Sequence, residues 1–191
     1  MSHKFSASLI FLIVSFLATA HNDKNIKCLS PVSSLYELSS LQKANLFLCV
    51  DRYLSAFKNK DYRYIIKQIY PPVFNNFVAQ NPGYSVNELI EKINKKMSID
   101  MSTMELEGFK MTNYRFNKNY SSVLKVRDAL YTTFQYSTTI KYKGKSSTQL
   151  KKVIAVSNNK GAKWFFTDAT DQSRAILKEK LSQSDYDFLS L

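Results

Sequence analysis

Histidine is almost missing from this 191-residue chain, which has only His3 and His21. Glycine and proline number four each, cysteine two and tryptophan one. Each scarcity removes a class of chemistry. With no histidine after His21, a cysteine nucleophile lacks its usual base and no Ser–His–Asp set can form. Histidine-built zinc sites and His–Asp proton-transfer pairs fail for the same reason. An amino-terminal His21 would hold copper only with a second histidine, which the chain lacks. Four glycines leave little room for a glycine-rich phosphate loop. No metal and no cofactor is therefore expected. Negative charge is also scarce, with 15 Asp and Glu against 27 Lys and Arg and a formal charge of +12.

Long hydrophobic runs are confined to the start. Lys4 precedes an apolar run over 8–17, and Ala18-Thr19-Ala20 follows. A basic start, an apolar stretch and a small-x-small ending make a secretory signal peptide over 1–20, and a retained signal anchor is the alternative. The run is shorter than the roughly 20 residues of a membrane span. The residue directly after Ala20 is His21 and not a cysteine, so a lipid attachment point is missing. The expected product is exported, periplasmic or secreted, with no membrane span after cleavage.

What the chain has in quantity is aromatic side chains, 12 Tyr and 13 Phe, which require a core or a lined cavity. The mature length suits one domain. An irregular segment over 21–40 should lead into a domain over 41–183, with a polar tail over 184–191. Cys28 and Cys49 either form a disulfide or remain separate thiols. A bridge would close a loop of about 20 residues and contribute about 3 kcal/mol.

Leu46, Phe47, Val50, Tyr53, Leu54 and Phe57 recur at helical spacing and predict a helix over 41–57. A second stripe, Tyr62, Ile65, Ile66 and Ile69, runs to Pro71-Pro72, after which 73–78 suit a short helical turn. Ser85 and Glu88 form a capping box for a third helix through Met97, with the period changing near Ser98. Strands are expected over 104–116, 124–142, 149–156 and 163–167, and a closing helix over 171–182. The 124–142 run alternates with period two, its even positions mostly apolar, and predicts one long strand with a bend or bulge. Lys143-Gly144 and Asn158 to Gly161 read as turns.

Three stretches carry a family resemblance: 44–62, the Ser85-capped helix, and Gly161-Ala162-Lys163-Trp164-Phe165-Phe166-Thr167-Asp168. Helices followed by long bent antiparallel strands resemble the NTF2-like (SnoaL-like) superfamily, with the cystatin-like fold as a neighbour. The resemblance implies an α+β fold in which a strongly curved antiparallel sheet wraps N-terminal helices around a cone-shaped cavity. It covers isomerases, dehydratases, cyclases and non-catalytic binding domains, several of them dimeric through the sheet, so it selects no activity.

For acid–base chemistry the candidate is Asp128, in register with the apolar positions, with Tyr131, Tyr136 and Tyr114 as partners. The bland alternative is that Asp128 marks the bend or pairs with Arg127 or Arg115. Asp168 reads as a turn residue. Phe134, Tyr136, Trp164 and Phe166 are candidates for lining a ligand cavity. Lys141, Lys143, Lys145, Lys151 and Lys152 cluster in sequence as a basic hairpin that could meet a polyanion or an anionic surface, or could simply guard a sheet edge. An exported protein makes nucleic acid an unexpected partner. Three readings remain: a non-catalytic ligand-binding or accessory domain, with a homodimer through the sheet or a small hydrophobic ligand; a cofactor-free isomerase or lyase; and an envelope or polyanion binder.

Overall fold

A computed structural model describes residues 33–168 and 170–189, apart from the Gln172 side chain. The expected signal, His21 and Cys28 lie outside these residues. The described chain is α+β, with six helices and a six-stranded open antiparallel sheet. Strand β1 (Ser33–Tyr36) comes first. The helices α1 (Ser40–Lys58), α2 (Tyr62–Lys67), α3 (Pro71–Ala79) and α4 (Val86–Leu106) follow. Strands β2 (Phe109–Tyr120), β3 (Val123–Val126), β4 (Ala129–Tyr142), β5 (Lys145–Ser157) and β6 (Phe165–Asp168) complete the sheet. Helices α5 (Asp171–Lys178) and α6 (Gln183–Phe188) close the chain.

The helix starts follow from local chemistry. Ser39 and Gln42 form a reciprocal capping box at α1, and Ser85 and Glu88 form another at α4, each satisfying two orphan donors. The Ser85 hydrogen bonds hold the Glu88 carboxyl below its ordinary range. Pro71 and Pro72 occupy the first turn of α3, where a missing N–H costs nothing. Ile69 is not helical, contrary to the stripe: it makes a parallel bridge to Phe166, and Tyr70 donates its N–H to the Phe166 carbonyl at 2.9 Å. Helix α4 also runs past Ser98, because Met97 and Met101 continue its buried stripe and Lys96 pairs with Asp100 one turn on.

The sheet corrects the reading of 124–142 as a single strand. Those residues form a hairpin, β3 and β4, with Val126 opposite Ala129 and Arg127-Asp128 as the turn. Arg127 adopts φ 55°. The hairpin swaps faces, so Leu124 and Val126 join Tyr131 in one apolar cluster while Leu130, Phe134 and Tyr136 belong to another. β2 and β3 share one edge of β4, β5 takes the other, and β1 and β6 are the outermost strands. The irregularities lie in β2: its register against β4 slips between Thr112 and Arg115 and again between Phe116 and Tyr120. Asn113 and Lys118, inside those slips, have positive φ. A bulge bends its strand and leaves ladder groups unpaired. Thr138 donates its hydroxyl to the Thr112 carbonyl beside the first slip at 3.1 Å, and Thr132 donates to the Ser121 carbonyl just past the second at 2.9 Å.

Helices cover both faces. On the inner face, α1, α2 and α4 pack on Val123, Leu130, Phe134, Val153, Ala155 and Phe166. On the outer face, Ile176, Leu177, Leu181, Tyr186 and Leu189 pack on Leu124, Val126, Tyr131, Ile154 and Val156. Helix α6 therefore stands where a polar tail was expected. The loop from β5 to β6 is fastened to α1: Gln42 Nε2 donates to the Lys160 carbonyl at 2.6 Å and Asn45 Nδ2 to the Gly161 carbonyl at 2.7 Å. Gly161 has φ +83°, and a Cβ there would lie 3.1 Å from Gln42 Cγ, so a side chain would push the loop off the helix.

Candidate functional site

The four acid–base candidates are not brought together. Asp128 sits exposed in the β3–β4 turn, at a chain reversal where a bend within one strand was expected, and not on an apolar face. Tyr131 points to the outer face, buried among Val126, Ile154 and Leu177. It shares a hydrogen bond with Tyr70 there, and burial pushes both phenols up. Tyr114 and Tyr136 lie on the inner face with ring centroids 6.3 Å apart.

That inner face holds a continuous run of rings. Phe47 meets Phe116 at 5.6 Å, Phe116 meets Phe134 at 5.4 Å, and Phe134 meets Phe166 at 5.7 Å between centroids. Tyr53 then contacts Phe166 at 4.5 Å and Phe57 at 5.0 Å, and Phe57 stacks on Tyr114 at 5.8 Å. Offset and edge contacts of this kind each add about 0.5–1.5 kcal/mol beyond burial. Phe134, Tyr136, Trp164 and Phe166, the expected ligand-lining residues, are buried members of this core. Trp164 Nε1 is buried without a hydrogen-bond partner.

The carboxylate that the structure does place on the inner face is Asp168. It pairs across the ladder with Val153, as Phe166 does with Ala155, so Phe166 and Asp168 share a face with the core. Burial pushes the phenols of Tyr53 and Tyr136 far up, and negative charge on Asp168 adds to the rise in both. Tyr114 is raised by burial and then by Tyr62. Tyr62 is pushed up to about 12, again first by burial and then by Glu105. These phenols stay protonated at neutral pH and are not poised as bases. The alternation Trp164, Phe166, Asp168 was the signal that could have found Asp168; its position next to a helix start masked it.

The five hairpin lysines do not form one patch. Tyr142 pairs with Lys145 around the two-residue turn Lys143-Gly144, whose φ values of 46° and 77° suit a type I′ turn. Lys151 pairs with inner-face Tyr136 and Lys145 with Tyr142, whereas Lys141 and Lys152 alternate to the outer face. Lys152 Nζ donates to the Leu189 carbonyl at 3.0 Å, at the end of α6, and partial burial lowers its ammonium pKa. It anchors α6 and is not a solvent cation. The sequence cluster also omitted Lys110 and Arg115, both exposed on β2.

Of the expected cysteine pair only Cys49 falls among the described residues. It is a half-buried thiol 3.9 Å from Asn45 Oδ1. Burial raises its pKa, against the pull of the Trp164 backbone N–H, Arg52 and Lys163. Among the described residues no three His, Cys, Asp or Glu side chains cluster as metal ligands, and no helix is long and apolar enough to cross a membrane. The chain matches no protein-family model, no curated protein and no solved structure.

Proposed function

We propose that this chain is an exported, non-catalytic binding or accessory domain built on the NTF2-like plan. The supporting architecture is the order of helices before bulged antiparallel strands, with the first helix locked to the β5–β6 loop through Gln42 and Asn45. One observation carries the functional half: the inner face is packed with aromatic rings whose tyrosines are held protonated, while the best carboxylate candidate, Asp128, lies outside in a turn. A proton-transfer site needs a base tuned towards the working pH, and burial here moves the phenols the other way.

The second reading is a cofactor-free isomerase or lyase with Asp168 as base. Its support is the Asp168 charge beside Tyr53 and Tyr136. With Asp168 as base, isomerisation or elimination next to a carbonyl begins by removing the adjacent proton, so one assay tests this reading without a known substrate. The protein is incubated in D2O with a panel of small hydrophobic ketones, and deuterium uptake is followed by NMR. Exchange no faster than in buffer is expected. Catalysed exchange that disappears in Asp168→Asn would establish the enzyme instead.

A further inference from the structure

The strands β2, β4 and β5 contain no Asp or Glu, yet carry Lys110, Arg115, Lys118, Lys141, Lys145, Lys151 and Lys152. The ion pairs Lys60–Glu105, Arg63–Glu91 and Lys96–Asp100 lie on the helical side instead. Register assembles part of this charge on the outer face, beyond the cover of α5 and α6. Lys110 stands opposite Lys141, which stands opposite Ser146. The next rungs are Thr112, Thr139, Thr148 and then Arg115, Ser137, Leu150. Lys110, Arg115 and Lys141 are exposed, and Leu150 is 70% exposed. Like charges directly opposite each other destabilise a sheet, so the Lys110–Lys141 rung is a local cost that an anion would relieve.

We infer that this open half of the outer face, with Lys110, Arg115 and Lys141 at its centre, binds an anionic polysaccharide. The inference deepens the proposed binding role and rests on it only in taking the surface as the working part. A second copy of the chain fits badly, because it would bring two acid-free cationic faces together. A single nucleic acid strand would want aromatic rings for its bases, and the aromatic residues of these strands lie on the inner face or, in the case of Tyr131, beneath α5 and α6. A membrane would want several inserted apolar side chains, and Leu150 stands alone. Threonine and serine hydroxyls between the cations suit the hydroxyl-rich backbone of a sugar polymer.

The test uses heparin oligosaccharides as a sulfated probe and polygalacturonate as a carboxylated one, with anionic phospholipid vesicles and single-stranded oligonucleotides beside them. The variant Lys110→Gln/Arg115→Gln/Lys141→Gln is compared with Lys58→Gln/Lys67→Gln/Lys95→Gln, which removes equal charge from exposed helix positions. The first triple should lose at least tenfold in affinity for one or both polysaccharides, and the second less than threefold. The slope of affinity against salt should fall by roughly one per phosphate-like contact removed. The single changes Arg115→Gln and Lys141→Gln should each give part of the loss, which keeps the result readable if the triple folds poorly. Equal losses in the two triples, tighter binding to vesicles or oligonucleotides, or no polysaccharide binding by the unaltered protein would each overturn the inference.

Discussion

The two halves of the sheet are built to different rules. Around Leu130 to Phe134 and Val153 to Ser157 every side chain is buried, because α1, α2 and α4 cover one face and α5 and α6 the other. Towards the Lys143-Gly144 turn β4 is covered on one face only, and β5 is exposed on both faces from Lys145 to Thr148. Alternation of burial is a property of the second half alone. A strand with two packed faces stops alternating, so Thr133 is buried although it reads as a wet position.

The contrast can be broken with single substitutions. The largest loss is expected from Phe166→Ala, at the junction of the Tyr53 and Phe134 rings, at about 3–5 kcal/mol. Leu177→Ala on the outer cover should cost about 2–5 kcal/mol, and chemical denaturation measures both. A small loss at Leu177 would mean that α5 does not seal the outer face. Thr138→Val keeps the shape but strands the Thr112 carbonyl, and should cost about 1–3 kcal/mol.

Alkaline titration probes the inner face differently. Tyr62 is raised in the folded chain to about 12 from an ordinary value of 10, so above pH 10 the unfolded chain holds fewer protons than the folded one. Stability contributed by its burial is complete below pH 10 and declines as pH rises towards 12. Tyr62→Phe should flatten the fall in melting temperature across that window. At the small end, Arg127→Gly should raise stability by up to about 1 kcal/mol, since Arg127 pays for a left-handed backbone that glycine adopts freely. Leu150→Thr on the open face should change stability by no more than about 0.5 kcal/mol.

Legibility in the sequence followed the same physics. Where a local signal has one meaning, it held: the Ser85–Glu88 box, the prolines of α3, the stripe of α1 and the alternation of Tyr136, Thr138 and Ile140. The failures have identifiable causes. Glycine is so scarce that Lys60, Asn113, Lys118, Arg127, Lys143 and Lys160 take positive φ instead. The β3–β4 turn therefore carried no glycine mark and read as continuous strand. Helix α4 was cut short because Met97 and Met101 were not followed one turn further. The closing helix over 171–182 is present as α5, but α6 was missed because it is short and mostly polar, and its anchors, Tyr186 and Leu189, only acquire meaning once the sheet exists. Candidate site residues failed where face mattered. The β3–β4 turn took Asp128 off the apolar face, while alternation along β4 and β5 put Tyr131 opposite in face to Tyr136 and split Lys141 and Lys152 from Lys145 and Lys151.

The most direct measurement is a backbone NMR titration of the protein with a heparin oligosaccharide of defined length. The account predicts shift changes concentrated at Lys110, Thr112, Arg115, Thr139, Lys141 and Thr148, with Lys145, Lys151 and the helices nearly unmoved. Changes centred on Lys145 and Lys151, or spread evenly over the lysines of the helices, would contradict it.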